Sequence, residues 1–280
     1  MRWKRGHRSQ NVEDRRGLPV RRGVGIGLGG LVALAAIGLL TGQNPLDLLG
    51  QLLGEAGGGQ VMVDQPLTPE QQAAQDEAFS FVNFILDDVQ DTWRDRFPAL
   101  GSTYPDARLV VFRELTESAC GLGQAAMGPF YCPGDRQVYI DLAFYDELRV
   151  RFGAPGDFAQ AYVIAHEIGH HVQNVLGIEA RIRESQRQSP GDANALSVRM
   201  ELQADCLAGI WGYAAGQRGL LEPGDLEEGL NAAAAIGDDR IQRQGGGRVS
   251  PESFTHGTSA QRVEWLRRGL ESGRPEACGV

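Results

Sequence analysis

The chain has 280 residues, 42% hydrophobic content and a net charge of −9. That is enough apolar material for one sizeable core. Residues 1–22 hold eight Arg/Lys against Glu13 and Asp14, so the remainder is strongly acidic. An acidic body excludes a nucleic-acid surface as the main function.

In chain order, the basic segment 1–22 is followed by an uncharged, Gly- and Leu-rich stretch. Eighteen residues of helix span about 27 Å, the thickness of a hydrocarbon core. The basic flank comes first, so the reading is a transmembrane anchor over 23–41 with a cytoplasmic N-terminus and an extracytoplasmic body. The expected location is therefore the cell membrane, single-pass. Residues 42–67 carry repeated Gly and Pro and read as a linker, with a short amphipathic turn at 46–53. The catalytic body is expected over 68–280, as an α+β, mainly helical domain with a small sheet.

Thr68-Pro69-Glu70-Gln71 is a capping box with Pro at the first helical position, and it opens a long helix to about Phe97. Ala78, Val82, Ile85, Leu86, Val89 and Trp93 form its apolar stripe. Residues 108–112 and 137–142 read as strands, and 142–151 as a short helix. The four cysteines fit an oxidising compartment. Three pairings are open to them. The short Gly/Pro-rich loop favours Cys120–Cys132, which leaves Cys206–Cys278; no C-x-x-C spacing supports a thiolate metal site.

His166-Glu167-Ile168-Gly169-His170 is an H-E-x-x-H match within an apolar helical segment bounded by Asp157 and Gly177. Positions i and i+4 share a helix face, so His166 and His170 can offer two imidazoles to one ion. Glu167 is rotated about 100° away, placed to act as a base on water beside that ion. Residues 178–195 read as a polar excursion between helices, and 193–216 as a helix. On it Glu201 and Asp205, at i and i+4, share a face among apolar neighbours. Buried carboxylates need partners. Glu201 as third ligand would complete a His₂Glu zinc site, and Asp205 would accept the far N–H of one histidine. His171 falls on the base's side of the helix and is read as a neighbour of the site rather than a ligand. Residues 226–242 read as one further helix. Thr258-Ser259-Ala260-Gln261 is a capping box for a last helix to about Leu270. His256, on the loop before it, is a candidate to stabilise a developing oxyanion, with Tyr131 and Tyr139 as weaker candidates.

The H-E-x-x-H pattern followed by Glu-x-x-x-Asp on a later helix resembles the gluzincin branch of zinc metallopeptidases. Further stretches are similar to the YpfJ-like neutral zinc metallopeptidases, a family of bacterial membrane-anchored proteins. They are Met1-Arg2-Trp3, residues 11–17, Gly128-Pro129-Phe130-Tyr131-Cys132-Pro133, Val138-Tyr139-Ile140-Asp141-Leu142, residues 201–209, and His256-Gly257-Thr258-Ser259 with Gln261-Arg262. The resemblance implies a Zn²⁺-dependent peptidase acting on a protein or peptide substrate, with membrane attachment through the N-terminal helix; the acidic charge of the body argues against a nucleic-acid partner. The alternatives are a catalytically silent, metal-stabilised binding module and a metal-dependent amidase acting on cell-wall peptides.

Overall fold

The computed structural model describes residues 1–17, 68–124 and 127–280. It is mainly helical α+β with a small sheet. The elements are β1 (Val12–Asp14), α1 (Pro69–Arg96), β2 (Arg108–Phe112), β3 (Leu115–Ser118), β4 (Gly121–Gln124), β5 (Phe130–Cys132) and β6 (Gln137–Asp141). They are followed by α2 (Ala143–Val150), α3 (Asp157–Val175), α4 (Ile178–Gln188), α5 (Ala193–Gln217), α6 (Asp225–Ala235), α7 (Asp238–Gln244) and α8 (Ser259–Ser272).

The sheet order is β1-β2-β6-β5, with β5 alone antiparallel to its neighbour; β3 and β4 form a separate hairpin. Leu109, Val111, Val138 and Ile140 face the main core, while Val110, Phe112, Cys132 and Tyr139 form a second cluster on the other face. Both faces are covered, which is why Leu109–Phe112 is a continuous apolar run rather than an alternation. α1 lays Val82, Ile85, Leu86, Val89 and Trp93 into the main core, each fully buried. Residues 1–17 belong to the same compact unit as the described residues from 73 onward. Val12–Asp14 pair in parallel register with Leu109–Val111, and the Met1 amine lies 2.8 Å from both carboxylate oxygens of Asp157.

This corrects the expected membrane topology. The candidate anchor at 23–41 and the turn at 46–53 lie outside the described residues. Among the described residues no helix is long and apolar enough to cross a membrane. Val12–Asp14, before that stretch, are paired into the sheet of the body that follows it. A chain crossing once would put β1 and β2 on opposite sides of the bilayer. The single-pass transmembrane helix, with the N-terminus cytoplasmic and the catalytic domain extracytoplasmic, is therefore not the arrangement found. A hydropathy window reads the apolar stretch alone and is blind to pairing between its flanks.

Smaller differences have local causes. The polar segment after α3 is itself mostly helical, as α4, with Arg183 paired to Glu179 one turn earlier. The expected 226–242 helix is two, α6 and α7, broken at Gly237. A Cβ there would come within 2.4 Å of the Ser259 nitrogen at the start of α8. Asp157 is the first residue of α3 rather than its cap, and the Phe158 N–H is taken by Glu228 at 3.2 Å. Gly177 follows the end of α3 in a left-handed conformation, φ 68°. The disulfides are Cys120–Cys132 and Cys206–Cys278, with Cα separations of 5.8 and 5.7 Å.

Two close helix crossings bring the site together. Gly169 of α3 sits against Ala204 of α5, where an added Cβ would lie 3.0 Å from the Ala204 carbonyl oxygen. Ala204 lies between Glu201 and Asp205, so this contact carries both carboxylates to the histidine face of α3. One turn after Asp205, Gly209 of α5 meets Gly269 of α8 at backbone distance.

Candidate active site

His166, His170 and Glu201 each offer a ligand atom, and these atoms lie within 4.8 Å of one another. Glu201 Oε2 is 3.1 Å from His166 Nε2, and Glu201 Oε1 is 3.4 Å from His170 Nε2. The far nitrogen of each imidazole is already engaged. His166 Nδ1 is 2.9 Å from Asp205 Oδ1; a carboxylate oxygen accepts, so Nδ1 carries the proton and Nε2 is turned to Glu201. His170 Nδ1 is 2.9 Å from Gln173 Oε1. The Gln173 amide nitrogen donates to Met200 O at 2.7 Å and Gln203 Oε1 at 3.0 Å, which fixes which end of the amide faces His170.

Burial and the neighbouring carboxylates pull the two imidazoles in opposite directions. Burial opposes charging of His166, but its hydrogen bonds to Asp205 and Glu201 outweigh it and raise its pKa to about 10. His170 is likewise raised, against burial, chiefly by the charge of Glu201. Burial works against Glu201 too, yet the neighbouring His170 holds its carboxyl well below the usual range. Two imidazole nitrogens and one carboxylate, each imidazole oriented from behind by an acceptor, are a donor set that fits zinc.

Glu167 is buried on the wall of the same cleft, a cavity of about 490 Å³. Burial pushes its carboxyl above the ordinary range. His171 is fully buried and points elsewhere. Its Nε2 donates to Pro105 O at 2.7 Å, and its Nδ1 accepts from the Tyr131 hydroxyl at 3.0 Å; Asn174 donates to the same hydroxyl at 2.8 Å. Both ring nitrogens are thus committed, and burial lowers its pKa. The residue fastens α3 to the edge strand β5. Tyr131 lines the cleft, but its hydroxyl is spent on this contact, and burial raises its pKa to about 12. Tyr139 donates to Asp135 at 2.8 Å, in the second cluster away from the cleft.

His256 lies on the cleft rim, its side chain 51% exposed. Asp238 accepts its backbone N–H at 2.7 Å and approaches its Nδ1 at 3.2 Å, which leaves Nε2 unengaged by Asp238. Sequence reading missed Gln173, Tyr162, Asp238 and the role of Arg262. Gln173, three residues past His170 on the same helix face, was open to the spacing argument. Tyr162, one turn before His166 on the same helix, was open to the same argument; Asp238 and Arg262 come from separate helices, and no spacing announces them.

The family model described as "Putative neutral zinc metallopeptidase" matches residues 1–280. The protein YpfJ of Escherichia coli strain K12 is 51% identical over 288 residues, covering all of this chain and 98% of its own length. Mb2605 of Mycobacterium bovis and Rv2575 of Mycobacterium tuberculosis are each 43% identical over 201 residues, covering 68% of this chain and 66% of their own. No solved structure matches the chain. A whole-length match to the family model, supported by a full-length relative at half identity, shows that the chain belongs to the neutral zinc metallopeptidase family.

Proposed function

We propose that the protein is a zinc-dependent endopeptidase whose site is His166, His170 and Glu201, with Glu167 as general base. The observation that carries this reading is the convergence of those three ligand atoms beside a buried carboxylate in one open cleft. Zinc bound by that triad supplies Lewis-acid chemistry, polarising a carbonyl and making water acidic enough to act as a nucleophile near neutral pH. Glu167 takes the proton from the attacking water and later gives it to the leaving amine. Its raised pKa suits a group that must both accept and return a proton. Asp205 and Gln173 hold the two imidazoles in one tautomer. His256, held through Nδ1 by Asp238, would present Nε2 to an oxygen gaining charge across the cleft. The antiparallel edge strand β5 borders the same cleft, which supports an extended peptide as substrate.

A silent, metal-stabilised module would want a fourth protein ligand closing the site. The commitment of both His171 nitrogens elsewhere weighs against that alternative. The test is Glu167→Gln in the full chain, with metal content by elemental analysis and cleavage of a peptide library that includes cell-wall peptide amides. The variant is expected to keep stoichiometric zinc and lose hydrolysis by at least ~10²-fold. A zinc-loaded Glu167→Gln protein that cleaves as fast as wild type would rule the mechanism out.

A further inference from the structure

We infer that Arg262 is a positioning residue of the metal site: its guanidinium fixes the Asp205 carboxylate that seats His166. The inference rests on the zinc-site reading above and assigns a function to a third helix, α8, that carries no ligand.

Arg262 is 2% exposed and Asp205 is 0% exposed. Arg262 Nε donates to Asp205 Oδ2 at 2.9 Å, and Nη2 donates to Oδ1 at 2.9 Å. These parallel bonds are the two-pronged geometry that only a guanidinium gives to a carboxylate, and they fix its plane as well as its place. The remaining nitrogen, Nη1, is 3.4 Å from Ile236 O. Tyr162, on α3 one turn before His166, also donates to Asp205 Oδ1 and lies 3.2 Å from Nη2. Oδ1 therefore has its other directions filled, and the one left open faces His166 Nδ1 at 2.9 Å.

The two ligand histidines are seated by the same logic with different parts. Gln173 is neutral, and a neighbouring carbonyl and amide are enough to hold it in place behind His170. Asp205 is a carboxylate without solvent. A buried carboxylate needs a compensating charge, and once symmetrical oxygens are left to rotate they give the imidazole no fixed direction. Arg262 supplies both the charge and the direction. The Gly209–Gly269 crossing, where backbones touch, is what lets α8 deliver it.

The experiment uses the full chain and measures zinc affinity by competition with a chromophoric chelator, without substrate. Far-UV circular dichroism of the metal-free proteins checks the fold. Arg262→Met is expected to weaken zinc binding about 10- to 100-fold, the usual effect of losing a group that orients a ligand. Arg262→Lys, which keeps the charge but not the fork, should lose less than Arg262→Met but still measurably. Both losses should largely vanish when the changes are made in an Asp205→Asn background, because the two short bonds by which Arg262 orients the site both end on that carboxylate.

A folded Arg262→Met or Arg262→Lys protein with wild-type zinc affinity would overturn the inference. So would an equal loss in the Asp205→Asn background, which marks a general packing effect. Should Arg262→Met fail to fold, the Lys variant in the two backgrounds decides by the same comparison. Wild-type protein that takes up no zinc would end the site reading and this inference together; zinc-binding wild type with indifferent Arg262 variants would end this inference alone.

Discussion

Replacing Gly269 by alanine puts a single methyl into the crossing of α5 and α8. A Cβ at 269 would lie 2.0 Å from the Cys206 carbonyl oxygen, 2.8 Å from Gly209 Cα and 2.9 Å from the Cys206 carbonyl carbon. All three are backbone atoms, so no rotamer change relieves the contact. Ordinary contact starts at 3.4 Å, so the helices must part by about 1.4 Å. Two effects oppose one another. Alanine gains about 1 kcal/mol over glycine inside a helix. Overpacking costs about 1–3 kcal/mol, and more where the backbone itself must move. The clash is with immobile atoms, so the second effect wins, and a net loss of about 2 kcal/mol is expected.

For a chain of this size that loss lowers the melting temperature by about 4–8 °C, read from the helical circular dichroism signal. Gly216→Ala is the control. Its nearest foreign atom is Leu221 Cδ1 at 3.4 Å, an ordinary contact, so it should melt at or slightly above wild type. A Gly269→Ala protein that melts no lower than wild type would refute the claim that this crossing is closed to a methyl group.

Two further outcomes follow from the same structure. Asp238 accepts backbone N–H groups from Thr255, His256 and Gly257 at 2.7–3.0 Å. Burial opposes its ionisation, but hydrogen bonds from His256 and the backbone hold its carboxyl below the usual range. A lowered folded pKa means stability that is present above the unfolded value near ~3.9 and lost as pH falls through the folded one. The melting-temperature gap between wild type and Asp238→Asn should therefore be steady above about pH 5 and shrink below about pH 4; a gap that widens on acidification contradicts this. Cys206–Cys278 closes 72 residues and Cys120–Cys132 closes 12. On loop entropy, replacing the first pair by alanine should cost about 4 kcal/mol and the second about 3 kcal/mol in chemical denaturation; the opposite ranking would show that strain or local packing dominates.

The strands β2 and β6 and the helices α1, α3, α5 and α8 were legible because their signals are local: caps, apolar stripes and β-branched runs within one window. The grouping of His166 with His170 was legible for the same reason, and Glu201 and Asp205 followed from finding two carboxylates on an apolar helix face. What stayed hidden depends on separate segments meeting. Arg262 and Asp238 reach the site from helices whose placement is set by the Gly209–Gly269 and Gly237–Ser259 contacts, and glycine-on-backbone packing leaves no periodic trace. The misread topology has the same origin. Val-Glu-Asp at 12–14 carries too little pattern to announce a strand, so its pairing with Leu109–Val111 could not compete with the apolar stretch after it.

That pairing also sets an order of events during synthesis. β1 leaves the ribosome first, and its partner follows about a hundred residues later, which at ~5–20 residues per second is about 5–20 s. Through that interval the first strand made is a waiting peptide, and its parallel, long-range closure belongs to the slow class of folding steps. A fragment starting at Thr68 would contain every residue of the cleft. It would nonetheless expose the outer side of Arg108–Phe112 as a row of unpaired backbone groups, a ready template for another chain. The opening residues thus act as an edge guard for a sheet built long after them.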